Sequence, residues 1–198
     1  MSSKVVAIVG SYRKGGTIDT AVEAILKGAR EKGAQTHTIY LREQQIEFCT
    51  NCRQCTQTPG AERGTCAQQD DLEPILKEIE SADAVVLGSP VNYYNATAIF
   101  RRFLERLAGF VYWPWGQNGP RPRSKRLPRK AVLVASAGMP GFLIPIATGA
   151  PRALRIAAKS FGAKPVGSLW IGLVSQEPHP QFSVRNRERA RRMGWTLA

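Results

Sequence analysis

The chain has 198 residues, a length that favours one domain with a sizeable hydrophobic core. Hydrophobic residues make up 43% and charged residues 22% of the chain, which excludes wholesale disorder and fibrous repeats. Residues 1–100 carry 10 basic and 12 acidic side chains, whereas residues 101–198 carry 18 basic and 3 acidic ones. The basic second half leaves two interpretations open: a surface for nucleic acid or an acidic membrane, or a phosphate-bearing ligand beside a solvated basic surface.

Short apolar runs alternate with helical patterns along the chain. Five strands are predicted, at residues 5–9, 36–41, 84–87, 131–135 and 166–174, and the first and third of them read as buried, continuously apolar segments. Apolar residues at helical spacing predict four amphipathic helices, at residues 21–29, 72–79, 99–107 and 151–161. Asp70 and Glu73 form a capping-box pattern at the start of the second of these helices. Buried strands joined through helices form a parallel sheet, so we predict a doubly wound α/β fold with helices on both faces.

Two stretches depart from this alternation. Residues 109–129 are rich in Trp, Pro, Gly and Arg and are predicted to form a long loop, the basic aromatic loop. Residues 183–195 are rich in arginine and are predicted to form a helix that is either solvated or in contact with another subunit. We therefore divide the chain into a domain of residues 1–176 and a basic C-terminal extension of residues 177–198.

Residues 10–17 form a glycine-rich loop between the first strand and the first helix. Ser11 and Thr17 supply hydroxyl groups, Arg13 supplies a guanidinium, and Gly15 and Gly16 permit close approach to the backbone, which are the features that a phosphate site needs. Gly16 stands where a Walker A loop has its lysine, and the G-x-G-x-x-G fingerprint is absent, so neither an ATPase nor a kinase is favoured. An ordinary glycine-rich turn is the alternative interpretation.

Two further loops follow the third and fourth predicted strands. Residues 88–95 contain two aromatic and two amide side chains, which suit a flat heteroaromatic ring with polar edges. Residues 136–141 are mostly small and would let a ligand lie against the backbone. Because the carboxyl ends of parallel strands meet at one edge of a sheet, we expect the three loops to form one ligand site.

With these loops, the chain resembles the flavodoxin-like NADPH-dependent FMN reductases, and in particular their iron-sulfur flavoprotein branch. The resemblance covers roughly residues 4–174 and rests on the G-S-x-R-K…G loop, the G-S-P-V-x-Y turn, the S-A-G turn and a cysteine cluster that leads into Asp70 and Asp71. It implies a five-stranded sheet of order 2-1-3-4-5 that binds FMN. It also implies an oxidoreductase that passes electrons from NADPH, NADH or ferredoxin to a quinone, a free flavin or a small electrophile. An electron carrier or redox sensor without substrate turnover is the alternative.

The resemblance also assigns residues to the flavin. The FMN phosphate would be held by the glycine-rich loop, at Ser11, Arg13, Lys14, Gly16 and Thr17. The isoalloxazine ring would lie in the second loop, at Pro90, Val91, Asn92, Tyr93, Tyr94 and Asn95. The third loop would close the site at Ser136 and Gly138. Tyr12 stands where the family commonly has a proline.

All four cysteines fall in one short stretch, the cysteine segment of residues 48–66. Their pattern is Cys49-x2-Cys52-x2-Cys55-x10-Cys66. Two-residue spacings let successive thiolates converge on one iron-sulfur cluster. The pattern resembles the compact motif of the iron-sulfur flavoproteins, with a longer last gap, and so implies a [4Fe-4S] cluster. Zinc, a regulatory dithiol and cysteines that bind no metal are the alternatives.

The sequence favours neither a hydrolase nor a nucleic-acid-binding protein. No G-x-S-x-G elbow occurs, and His37 and His179 do not fall in a triad pattern, so we name no catalytic side chain. Flavin chemistry needs none, because the cofactor carries the electrons. The basic aromatic loop could stack on single-stranded nucleic acid or be solvated. We favour a third interpretation, in which its aromatic rings pack near the flavin or across a subunit interface and its basic residues attract the phosphates of NADPH.

We expect no signal peptide and no membrane span, because the first apolar run, residues 5–9, is too short for either. Clustered cysteines in such a chain are typical of a cytoplasmic protein. The family resemblance further implies a homodimer or homotetramer in which a neighbouring subunit helps to cover the flavin.

Overall fold

The computed structural model describes residues 2–124, 126–175 and 182–198, so the predicted boundary between residues 176 and 177 and His179 lie outside the described residues. The strands are β1 (Lys4–Val9), β2 (Gln35–Tyr40), β3 (Ala84–Asn92), β4 (Asn95–Ala96), β5 (Val111–Tyr112), β6 (Arg121–Pro122), β7 (Arg129–Ser136) and β8 (Ala163–Ile171). Five of them form a parallel sheet in the order β2-β1-β3-β7-β8. Because β7 and β8 are the fourth and fifth long strands, the predicted order 2-1-3-4-5 is confirmed.

Helices cover both faces of this sheet, as predicted. They are α1 (Thr17–Glu31), α2 (Leu72–Glu80), α3 (Ala98–Glu105), α4 (Ile144–Ala147), α5 (Ala150–Ser160) and α6 (Val184–Trp195). One hydrophobic core lies between the sheet and α2, α3 and α5, and a second lies between the sheet and α1 and α6. Residues 5–9 of β1, an interior strand of the sheet, have no exposed surface, which explains why the segment is continuously apolar.

Several features differ from the predictions, among them the end of the fifth long strand at Ile171 instead of residue 174. Strand β3 continues through Ser89 and Pro90, where a turn is predicted, because these residues pair with the end of β7. The basic aromatic loop contains a short antiparallel ribbon of β5 and β6. The capping box at α2 is wrong: Asp70 Oδ1 accepts a hydrogen bond from the Leu72 N–H at 3.0 Å, but Glu73 turns away to another partner.

Helix α6 packs against α1 rather than projecting into solvent. The two helices approach so closely that a Cβ atom on Gly194 would lie 1.9 Å from the Ile25 carbonyl oxygen, and one on Gly28 would lie 2.0 Å from the Arg191 carbonyl oxygen. Glycine is therefore required on both helices at this contact. At its exposed edge, Arg191 Nε donates to Glu31 Oε2 at 2.7 Å. The arginine-rich tail thus belongs to the core packing, with its charges on the outer face.

Within the described parts of the chain, no helix combines the length and the apolar character needed to cross a bilayer. The cytoplasmic location stays a prediction.

Candidate functional site

The three predicted loops meet at the carboxyl edge of the sheet and enclose a cavity of about 650 Å³, the loop cavity. Its lining includes most of the predicted flavin residues: Ser11, Arg13, Gly16, Thr17, Pro90, Val91, Asn92, Ser136 and Gly138. The structure places Lys14 on the outer side of the glycine-rich loop, facing a different cavity, and Tyr93 in a neighbouring one. Tyr94 lies in the turn between β3 and β4, and Asn95 is the first residue of β4. Their roles in binding stay predictions.

A buried ion pair supports the glycine-rich loop from below. Arg42 donates two hydrogen bonds to Asp19, at 3.2 and 3.0 Å, and both side chains are about nine-tenths buried. Asp19 Oδ2 also accepts a hydrogen bond from the Gly15 N–H at 2.9 Å, and Arg42 donates to the Ser11 carbonyl at 3.3 Å. Gly15 has φ +68°, the left-handed region that favours glycine. The pair therefore holds both ends of the loop in place.

The N-terminus of α1 opens into the loop cavity. Its N-cap is Gly16, which has no side chain to cap the N–H groups of the first turn. The N–H groups of the first turn and the positive end of the helix dipole are suited to bind an anion. The Arg13 side chain packs over Gly16, where a Cβ would lie only 3.0 Å from its Cδ. The cavity therefore combines a helix N-terminus with a guanidinium, as a phosphate site requires.

Buried hydroxyl groups connect this loop to the second one. Thr97 is the N-cap of α3, and its hydroxyl donates to the Gly10 carbonyl at 2.6 Å. The Ser89 hydroxyl accepts a hydrogen bond from the Thr97 N–H at 3.1 Å. Gly10 lies so close to α3 that a Cβ there would meet the Phe100 side chain at 2.7 Å. The ends of β1 and β3 and the start of α3 are thus fixed to one another, and the floor of the cavity is rigid.

The chain after β8 supplies a wall that the sequence analysis missed. The Val174 N–H donates to the Ala137 carbonyl at 3.2 Å, and a Cβ on Gly138 would lie 2.6 Å from the Ser175 hydroxyl. Val174 and Ser175 therefore line the loop cavity together with Tyr12, Ile18 and Ala137. The rule that ligands bind beyond the carboxyl ends of parallel strands applies to the fifth strand as well, and could have identified this segment.

Arg106 anchors the cysteine segment from inside the protein. Its side chain is almost fully buried and pairs with Asp70 at 2.7 Å. It also donates to the Glu47 carbonyl at 2.6 Å and to Cys66 Sγ at 3.4 Å. Burial alone would raise the pKa of Asp70, but hydrogen bonds from Arg106 and from the N–H groups of Glu47 and Leu72 outweigh burial and lower this pKa.

The basic aromatic loop packs onto the cysteine segment, and none of its described residues lines the loop cavity. Packing across a subunit interface, the other part of the favoured interpretation, stays a prediction. The Arg53 guanidinium lies 4.1 Å from the ring centroids of both Trp113 and Trp115, an arrangement that we call the Arg53 stack. Arg53 also donates to the Trp113 carbonyl at 2.6 Å. From the other side, Arg123 donates to the carbonyl oxygens of Cys55, Thr58, Gly60 and Gly109. These arginines therefore connect two irregular segments.

The four cysteines are free thiols, and all of them fall within the cysteine segment. Burial raises the pKa of the Cys55 thiol, and repulsion from the thiolates of Cys66, Cys49 and Cys52 raises it further. Thiols in one segment are the correct donors for an iron-sulfur cluster. However, among the described residues no three cysteine, histidine or acidic side chains are close enough to hold a metal ion.

The family model of NADPH-dependent FMN reductases matches residues 3–172. The chain belongs to this family. Among its curated relatives, an iron-sulfur flavoprotein of Archaeoglobus fulgidus is 33% identical over 111 residues, which are 56% of this chain and 48% of that protein. One from Methanosarcina thermophila is 27% identical over 103 residues, 52% of this chain and 51% of that protein. This FMN reductase family member thus spans about half the length of the curated relatives it matches.

Solved structures of similar fold support the flavodoxin-like architecture of this family member. An NAD(P)H:quinone oxidoreductase from Methanothermobacter marburgensis has a TM-score of 0.70 at 22% identity, covering 100% of both chains. An azoreductase from Bacillus anthracis str. Sterne has a TM-score of 0.73 at 15% identity, covering 98% of this chain and 99% of that one. A flavodoxin from the domain Archaea has a TM-score of 0.57 at 14% identity, with 98% and 95% covered. The predicted flavodoxin-like fold is confirmed.

Proposed function

We propose that the protein is an FMN-dependent oxidoreductase that takes electrons from NADPH or NADH and passes them to a small acceptor. The observation that carries this proposal is the loop cavity, where the uncapped N-terminus of α1 lies beside Arg13 at the carboxyl edge of the sheet. Membership of the FMN reductase family supports the choice of cofactor. The quinone oxidoreductase and azoreductase of similar fold support a small-molecule acceptor.

Each loop would have a separate part in binding the cofactor. The first turn of α1, Ser11 and Arg13 would bind the FMN phosphate. Residues 90–95 would lie along the ring, and Ser136 and Gly138 would leave room for it against the backbone. FMN, when bound, supplies the two-electron chemistry of its ring system, while the protein supplies orientation and a fixed electrostatic environment.

Fluorescence titration with FMN tests this proposal directly. Removing one charge-assisted contact is worth about 1.5–3 kcal/mol, so Arg13→Gln should weaken FMN binding by about tenfold or more. Arg155 on the outer face of α5 is exposed and lines none of the cavities described above, so Arg155→Gln is the matched control and should bind FMN normally. A wild-type protein that takes up no FMN would refute the proposal.

The electron donor is decided by anaerobic stopped-flow mixing of the FMN-loaded protein with NADPH, NADH or reduced ferredoxin. Bleaching of the flavin by a nicotinamide is the expected result. Reduction by ferredoxin alone would contradict the NAD(P)H assignment and favour the alternative, an electron carrier or redox sensor.

We also propose that Cys49, Cys52, Cys55 and Cys66 bind a [4Fe-4S] cluster. Four free thiols within one segment, and the iron-sulfur flavoproteins among the relatives, support this assignment. Iron and sulfide analysis of anaerobically prepared protein tests it, with Cys55→Ser as the variant that should lose the cluster. Protein that contains zinc, or no metal even after reconstitution, would contradict the assignment and leave zinc or a dithiol as the alternatives.

The protein is further proposed to form a homodimer or homotetramer. Phe142 and Ile146, in the chain that follows β7 beyond the carboxyl edge of the sheet, are 73% and 82% exposed, and large exposed apolar side chains mark contact surfaces. Light scattering should give a mass of two or four chains, and a monomer at micromolar concentration would be the contrary result.

A further inference from the structure

A second cavity, of about 430 Å³, adjoins the loop cavity; we call it the side cavity. Tyr12 and Asn92 line both cavities. The Tyr12 hydroxyl accepts a hydrogen bond from the Ile99 N–H at 3.2 Å, which fixes its ring between them. A molecule in the side cavity would therefore lie directly beside the occupant of the loop cavity.

Aromatic rings and arginines form the walls of the side cavity. Phe48 comes from the cysteine segment and Tyr93 from the turn between β3 and β4. Arg101 and Arg102 come from α3, and Glu105 is the acidic side chain of the lining. Arg101 lies 3.8 Å from Glu105, so that carboxylate already has a partner. The remaining surface suits a flat apolar ring.

Arg102 is the charged group in this lining that has no ion-pair partner among the described residues. Its guanidinium lies 5.5 Å from the centroid of the Phe48 ring. Its Nε is buried, and no described residue forms a hydrogen bond with it. A buried donor without an acceptor is costly, so the described protein groups leave this guanidinium incompletely satisfied.

The turn beside the side cavity is conformationally strained. Tyr93 and Tyr94 have φ values of +45° and +64°, and such two-residue hairpin turns favour Asn-Gly because bulky residues rarely adopt positive φ. The Tyr93 side chain is 99% exposed, so its own packing does not compensate for this strain. Strain that is maintained without a packing gain is typical of ligand-binding segments. Here it presents an aromatic ring at the mouth of the cavity.

We propose that the side cavity binds the electron acceptor, and that this acceptor is a planar aromatic molecule with an acidic group, such as a quinone carrying a sulfonate or carboxylate. This inference rests on the proposed function. The ring would pack between Phe48 and Tyr93, and the acidic group would pair with Arg102. Overall, NAD(P)H, one proton from solvent and the quinone give NAD(P)+ and the hydroquinone, so that two electrons and two protons are transferred.

Calorimetric binding of two matched compounds, anthraquinone-2-sulfonate and neutral 2-(hydroxymethyl)anthraquinone, tests the inference without turnover. Wild-type protein, FMN-loaded or flavin-free, should bind the sulfonate about tenfold more tightly, the low end for a charged hydrogen bond. Arg102→Gln should remove this preference without changing FMN affinity, and Phe48→Leu should weaken binding of both compounds. Arg155→Gln should behave as wild type. In steady-state assays, Arg102→Gln should raise KM for the sulfonate and leave the rate of flavin reduction unchanged.

Several results would overturn the inference. Equal affinity of the wild type for the two compounds, or a preference retained in Arg102→Gln, would rule out the assigned role of Arg102. If neither compound binds, and Phe48→Leu instead lowers the mass measured by light scattering, a second copy of the chain covers the side cavity. Absence of FMN binding refutes the proposed function, whereas loss of anion preference with normal FMN binding refutes this inference alone.

Discussion

Replacing Asp19 by asparagine tests the ion pair beneath the glycine-rich loop. Asparagine has nearly the same shape and keeps an oxygen for the Gly15 N–H, so the change removes the charge and little else. It leaves Arg42, whose side chain is only 12% exposed, without its main partner. Removing one member of a buried pair costs about 3–5 kcal/mol. We expect about 3 kcal/mol, the lower end of that range, because Arg42 keeps the exposed Glu43 carboxylate at 3.5 Å, the Ser11 carbonyl and the Tyr40 ring.

Denaturation with guanidinium chloride, followed by circular dichroism, measures this loss. The exposed pair of Arg30 and Glu23 on α1 provides the control, and Glu23→Gln should lower the free energy of unfolding by about 0.5 kcal/mol at most. The double variant Asp19→Asn/Arg42→Met should lose less than the sum of the single changes, since neither charge is then buried alone. If Asp19→Asn has the unfolding free energy of the wild type, the pair does not support the loop.

Three further changes test other parts of the fold. Gly194→Leu would drive a side chain into the α1 backbone and should cost about 3 kcal/mol in unfolding free energy, whereas Gly119→Ala, with open space around it, should cost about 0.5 kcal/mol or less. Although burial opposes the shift, the ion pair with Arg106 lowers the pKa of Asp70 below its ordinary value of 3.8, so the stability that this pair contributes is lost as the pH falls below 3.8. Asp70→Asn should therefore flatten the curve of unfolding free energy against pH in this acidic range. An unchanged slope would contradict this. Trp113→Ala should increase hydrogen exchange in the cysteine segment by opening the Arg53 stack, more than Trp115→Ala does, and protection equal to wild type would count against that role.

The sheet and most of the loop cavity could be predicted because their signals are local. A strand buried on both faces must be apolar at every position, as residues 5–9 are, and the glycine-rich loop follows directly from such a strand. Parallel strands place their carboxyl ends at one edge of the sheet, so the position of the ligand site can be predicted from the topology alone. This edge brings together Ser11, Asn92 and Ser136. Val174 and Ser175 were missed because the fifth strand ends at Ile171, earlier than its apolar run predicts.

The contacts of the basic side chains could not be predicted, because their partners are distant in sequence. Arg53 reaches Trp113 across 60 residues, and Arg123 reaches Cys55 across 68. Composition shows only that the second half is basic, and a charged side chain looks the same in a sequence whether it faces solvent or a carbonyl. The close contact at Gly194, by contrast, could have been predicted, because a glycine inside a helix pattern indicates close packing or a functional constraint.

Arg53 and Arg123 donate hydrogen bonds to carbonyl oxygens of the main chain, which every residue type possesses. Arg123 alone contacts three of these oxygens between residues 55 and 60. Hydrogen bonds to carbonyl oxygens do not depend on which side chains the segment carries. They do depend on the number of residues between the contacted carbonyl groups. We therefore expect the segment to tolerate substitution at its exposed positions, while insertion or deletion of a single residue there would shift each carbonyl away from its donor.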